Sequence, residues 1–178
     1  MFRLSTVKSH LTLFLLIFWI ISIVTLSKNA FTNTKEPKVS INGSGLAIPR
    51  IVSLKNSLTY MRSGPGKEFP VKFELKQKGY PLKIIAEYNN WRKVKTFNDI
   101  TGWIHTQLLS SFRTGLITKT TFLKPIPANS GNSLAQLLPN LLINIKKCKG
   151  DWCKIEIVRI KTFIGWVKKE TIWGATKN

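Results

Sequence analysis

From Leu46 to the C-terminus, apolar and polar residues alternate in short runs separated by clusters of Asn, Asp and Gly. Residues 80–88 (YPLKIIAEY) alternate through their first half. Asn89 and Asn90 follow as a turn, since Asn tolerates positive φ. Trp91, Val94 and Phe97 lie on the next extended run, Asn98 and Asp99 mark another turn, and residues 101–104 (TGWI) read as a further strand. The same order returns later. Residues 141–148 (LLINIKKC) turn through Lys149, Gly150 and Asp151 into residues 152–158 (WCKIEIV), followed by residues 163–167 (FIGWV). Strands this short, with turns this frequent, predict an all-β barrel or sandwich. No stretch of this region carries a 3.6-residue apolar stripe.

The N-terminus breaks the pattern. Arg3 and Lys8 precede residues 11–26 (LTLFLLIFWIISIVTL), an uncharged apolar run. A basic head before such a run predicts an export leader over residues 1–27. Thr25 and Ser27 suit cleavage after Ser27, whereas the uncharged span 9–27 is also long enough for an uncleaved anchor helix. Both readings put the remaining chain outside the cytoplasm: in the periplasm or envelope, secreted, or anchored to the inner membrane. Residues 28–45 (KNAFTNTKEPKVSINGSG) read as a flexible tether.

The body contains a weak repeat. NWRKVK (residues 90–95) and GWI (residues 102–104) are echoed by DWCKIE (residues 151–156) and GWV (residues 165–167). Each copy closes on an apolar pair, Leu108 with Leu109 and Ile172 with Trp173. Trp91 and Trp103 are 12 positions apart, Trp152 and Trp166 are 14 apart, and a longer hairpin in the second copy explains the difference. The division is residues 46–117 and 118–175, each the size of a small barrel. Gly102 and Gly165, inside strands, mark a bulge or a close backbone approach, and the adjacent indoles are expected to fill the barrel or cover its end.

Charge and chemistry narrow the function. Lys and Arg number 28 against 8 Asp and Glu, a net charge of +20, so the surface attracts polyanions. A hairpin around KGDW sets Cys148 opposite Cys153. An oxidising compartment favours a disulfide there over two reduced thiols. Two thiols with no nearby His do not complete a zinc site. The sole histidine beyond the leader, His105, lies in the other copy, which argues against a cysteine nucleophile with a base. The acids are scattered, with no evident pair facing one bond. Residues 63–66 (SGPG) lack the spacing of a phosphate-binding loop. No enzyme, metal or cofactor is expected.

The motifs YMRSGPG (residues 60–66), FPV (69–71), KGYPL (78–82), NWRKV (90–94) and GWI (102–104) resemble bacterial SH3-like domains. More specifically, the chain resembles exported proteins carrying two such domains. CKGDWC (148–153), GWV (165–167) and IWG (172–174) extend the resemblance to the second copy, where LKPIP (123–127) replaces the glycine-proline run. The resemblance implies two tandem SH3-like β-barrels. It also implies a groove in the first, for which Tyr60, Arg62, Phe69, Tyr88 and Trp91 are the candidate ligand-binding residues. Gly64 and Gly66 are expected to adopt backbone angles closed to other residues, beside Pro65 with its fixed φ. The implied partners are peptidoglycan or another anionic envelope polymer, or an envelope protein. Nucleic acid is not expected, and membrane contact is expected only through an uncleaved N-terminus. The implied role is binding without catalysis, with a purely structural docking factor as the alternative and a hydrolase accessory as a further one.

Overall fold

The computed structural model describes residues 39–158 and 161–175. The expected leader and the first part of the tether lie outside them. The described chain is all-β apart from two single 3₁₀ turns. It forms two small barrels of one topology.

The first barrel comprises β1 (Ser40–Ile41), β2 (Arg50–Leu54), β3 (Thr59–Arg62), β4 (Val71–Leu75), β5 (Pro81–Tyr88), β6 (Trp91–Lys95), β7 (Thr101–His105) and β8 (Leu109–Ser110). Its strand order is β4-β3-β7-β6-β5-β2-β8, with β1 beside β5. The second comprises β9 (Thr114–Ile117), β10 (Thr121–Leu123), β11 (Ala135–Leu137), β12 (Leu142–Lys149), β13 (Trp152–Val158), β14 (Thr162–Lys168) and β15 (Ile172–Trp173). There β14-β13-β12-β9-β15 form one sheet and β10-β11 a hairpin, joined to β14 by a bridge between Lys124 and Trp166. The pairings of β2 through β8 recur in β9 through β15. In both barrels a 3₁₀ turn, Thr106–Leu108 or Lys169–Thr171, leads into the closing strand.

Period-2 alternation builds each core. Met61, Leu82, Ile84, Val94 and Ile104 point inward in the first barrel; Leu123, Ile143, Ile155 and Val167 do so in the second. Gly102 and Gly165 face those interiors through an unbroken ladder, so close approach rather than a bulge explains them. A Cβ on Gly102 would sit 2.9 Å from the carbonyl oxygen of Arg62; one on Gly165 would sit 2.7 Å from that of Lys124. The register shifts fall elsewhere, at 61/62, 84/86 and 145/147.

Four expectations need correction. The boundary falls four residues earlier than expected, because Thr114–Ile117 pairs with β12 and β15 and so opens the second barrel. The end of the tether is held: β1 runs parallel to the end of β5, beyond the point where β2 stops pairing. Phe97 lies past the end of β6, and its ring packs edge-on against Trp173 of the other barrel at 5.9 Å. The indoles of Trp91, Trp103, Trp152 and Trp166 do not fill the barrels. They sit half-buried on positions that alternate with the core residues.

A three-residue link, 111–113, joins the barrels. The Thr114 hydroxyl donates to the Gly79 carbonyl at 2.6 Å, and the Ser53 hydroxyl to that of Phe112 at 2.9 Å.

Candidate functional site

On the first barrel the ladder aligns two rows of side chains on the face opposite the core. Trp91 pairs with Tyr88 on one side and with His105 on the other. Trp103 pairs with Lys93 and with Arg62. Strand period 2 puts Trp91 with Lys93, and Trp103 with His105, on the same side. Trp91 and His105 meet edge to face, centroids 5.3 Å apart. The His105 Nδ1 accepts the Gln107 N–H at 3.3 Å. That bond leaves the Nε2 edge as the ring's donor in the neutral form.

The glycine-proline loop adjoins the second row. Arg62 Nη1 donates to the carbonyls of Lys67 (3.0 Å) and Phe69 (2.7 Å), and the Ser63 N–H bonds to the Pro70 carbonyl. Arg62 therefore closes the loop upon itself. Neither Gly64 nor Gly66 takes a positive φ, which corrects the expectation of special backbone angles. Their contribution is steric: a Cβ at Gly64 would collide with the Phe69 ring, and one at Gly66 with the Glu68 carboxylate.

The five sequence candidates thus form two groups. Tyr88 and Trp91 are cross-strand partners. Arg62 and Phe69 are tied through the loop, and Tyr60 projects outward two residues before Arg62. Trp103, His105 and Lys93 join the groups and were not among the candidates. The signal for them was present, because Trp103 and His105 flank Ile104, whose inward place sends both outward.

Beneath this face lies an inward charge cluster. Glu87, whose side chain has no solvent exposure, accepts the Ser44 N–H (2.7 Å) and hydroxyl (2.9 Å), Arg92 Nε (3.0 Å) and the Arg50 guanidinium. Burial alone would raise its pKa. The Ser44 and Arg50 hydrogen bonds outweigh burial and hold it below the ordinary range. The cluster locks the segment before β2 onto β5.

The second barrel repeats the outward rows with different chemistry. Trp152 pairs with Lys149 and Lys168, where Trp91 has Tyr88 and His105. Trp166 pairs with Lys154 and Lys124, where Trp103 has Lys93 and Arg62. Lys124 Nζ donates to the carbonyl of Gly131, seven residues on, as Arg62 does to that of Phe69. The divergent LKPIP run therefore keeps the stapled loop although its motif is lost. Lys147 Nζ lies 5.9 Å from the Trp166 centroid and Lys168 Nζ 5.6 Å from that of Trp152.

Cys148 and Cys153, cross-strand partners at the β12–β13 turn, form a disulfide. Glu156 is held below the ordinary range by the Lys146 ammonium at 2.7 Å and the Asn144 amide. Among the described residues no three His, Cys, Asp or Glu side chains gather as a metal site. The arrangement offers aromatic faces, hydrogen-bond donors and cations, which is the chemistry of adhesion.

Among solved structures, the chain is similar to NlpC2 from Trichomonas vaginalis, with 12% identity over 70% of this chain and a TM-score of 0.32. It is also similar to NlpC1 from the same organism, with 13% identity over 74% and a TM-score of 0.31. The match covers 48% of each of those chains, so this chain spans about half their length. No curated protein matches it. The family model described as bacterial SH3 domain matches residues 55–111 and again residues 127–174. With both matched segments folded into barrels of one topology, the chain belongs to the bacterial SH3 domain family and carries two copies of the domain.

Proposed function

We propose that the chain is an exported, non-catalytic binding protein of the bacterial cell envelope whose first barrel grips a cell-wall peptide or glycan. The observation that carries this reading is the continuous outward surface of Tyr88, Trp91, His105, Trp103 and Arg62, bordered by the stapled loop. Indoles on a rigid sheet offer stacking area without an ordering cost, and the His105 and Arg62 edges supply polar selectivity. Export is supported by the apolar leader and by a disulfide, which persists in oxidising compartments. Absence of catalysis is supported by the occupied chemistry, with Glu87 and Glu156 held by cations and both cysteines bonded to each other.

The test is sedimentation of the protein with isolated peptidoglycan sacculi. Retention should survive about 0.5 M salt, where charges are screened beyond roughly 4 Å. Trp91→Ala should weaken it about tenfold or more, as loss of a buried aromatic anchor does. Retention that disappears with salt and ignores Trp91→Ala would reduce the interaction to charge alone. Muropeptide release from the sacculi would refute a non-catalytic role.

A further inference from the structure

The two barrels share a topology, but the second carries a longer β13–β14 hairpin with a different surface. In the first barrel the strands of the matching β6–β7 hairpin have five residues each instead of seven, and Phe97 of its turn is packed against Trp173. In the second, Val158 and Ile164 are 62% and 48% exposed on the outward side of the hairpin, whereas Phe163, the partner of inward-facing Ile157, projects from the other side. Ile164 pairs with Glu156 on the outward face, directly beyond the Lys154–Trp166 pair. Along one strand pair the outward surface therefore runs from lysines, through two half-buried indoles, to the uncovered aliphatic side chains of Ile164 and Val158.

The basic end is dense. Lys147, Lys149, Lys154 and Lys168 flank Trp152 and Trp166 across three strands about 4.8 Å apart. The acids nearby are few: Glu156, paired with Lys146, and Asp151 at the turn. A soluble polyanion would satisfy the lysines but not the apolar end. An anionic bilayer satisfies both, with headgroups for the ammonium groups, the interfacial zone for indoles and the acyl boundary for aliphatic side chains. We propose that this face of the second barrel docks on the surface of an anionic lipid membrane, independently of the N-terminal apolar segment and of the groove on the first barrel.

Residues Pro37–Asn178 form one compact unit containing both cores, so that unit is the one to test. It is mixed with sucrose-loaded vesicles of phosphatidylcholine and phosphatidylglycerol at three to one, or of phosphatidylcholine alone, and sedimented. Binding to the anionic vesicles is expected, with a blue shift of tryptophan emission. Lys147→Gln with Lys168→Gln should weaken partitioning about 25-fold, from about 1 kcal/mol per lysine. Lys55→Gln with Lys78→Gln, the same charge change on another surface, should leave it within about twofold. Val158→Ser with Ile164→Asn should weaken it at low and high salt alike, because apolar insertion is not screened. All three double variants replace exposed or half-exposed side chains, and unchanged melting curves confirm their fold. The proposal is overturned if the unit ignores anionic vesicles or if the two lysine pairs have equal effects. It is also overturned if the apolar pair has no effect, or if a soluble anionic polysaccharide or single-stranded DNA at equal charge displaces the unit completely.

Discussion

The Glu87 carboxylate is buried between two guanidiniums, and its removal would leave Arg50 and Arg92 facing each other with one partner fewer. Breaking a buried ion pair from one side costs about 3–5 kcal/mol, so Glu87→Gln should lower the urea midpoint substantially. The pH dependence follows from the direction of its shift. A carboxyl with a depressed folded-state pKa contributes stability that is fully present above the ordinary glutamate value, about 4.3. That contribution is lost as pH falls through the depressed value. Denaturation followed from pH 6 to pH 2 should show the parent losing stability in this acid range, and Glu87→Gln losing less. At Gly102 and Gly165 the argument is steric. Alanine would press on Arg62 and Lys124 carbonyls and on the Met61 and Leu123 side chains. Overpacking of this kind costs about 1–3 kcal/mol, and a melting temperature unchanged by Gly102→Ala would contradict the close approach.

At the scale of elements, β5 is longer than β2 and extends beyond it. Ser40 and Ile41 cover the remaining edge, with the Glu87 and Asn89 amides bonded to the Val39 and Ile41 carbonyls. An uncovered edge is a site for unwanted pairing, and here the chain caps its own. Removing residues up to Ser44 should speed hydrogen exchange at those two amides, and unchanged protection would mean that the cap is dispensable. The β12–β13 turn is closed by its disulfide around a six-residue ring. In the chain-entropy account such a short loop contributes about 2 kcal/mol, so Cys148→Ser with Cys153→Ser should lower stability by that amount. Equal guanidinium midpoints for parent and variant would contradict this.

At the scale of the molecule, the three-residue link, the Thr114–Gly79 hydrogen bond and the Phe97–Trp173 contact couple the barrels. Coupled units melt together, and uncoupled ones melt separately. Calorimetry of the Phe97→Ala and Thr114→Ala double variant should resolve two transitions where the parent has one. Two transitions already present in the parent would show that the contacts are too weak to couple them.

The sequence by itself determined the fold class, the repeat and the cysteine pairing, because each is written locally. Alternation of period 2 sets which side chains face inward, Asn89 and Asp99 take the positive φ their turns require, and the KGDW turn brings Cys148 to Cys153. The tertiary structure decided what depends on partners distant in the chain. Thr114–Ile117 reads as the end of one module until its pairing with β12 and β15 assigns it to the next. Lys124 looks like a lost motif until its bond to Gly131 makes it the counterpart of Arg62. The indoles have the bulk of core residues, but small barrels fill with Leu, Ile and Val, and the rings are displaced to the outer face beside cations. Composition measures how apolar a residue is, whereas the closure of the sheet fixes how much room it has inside.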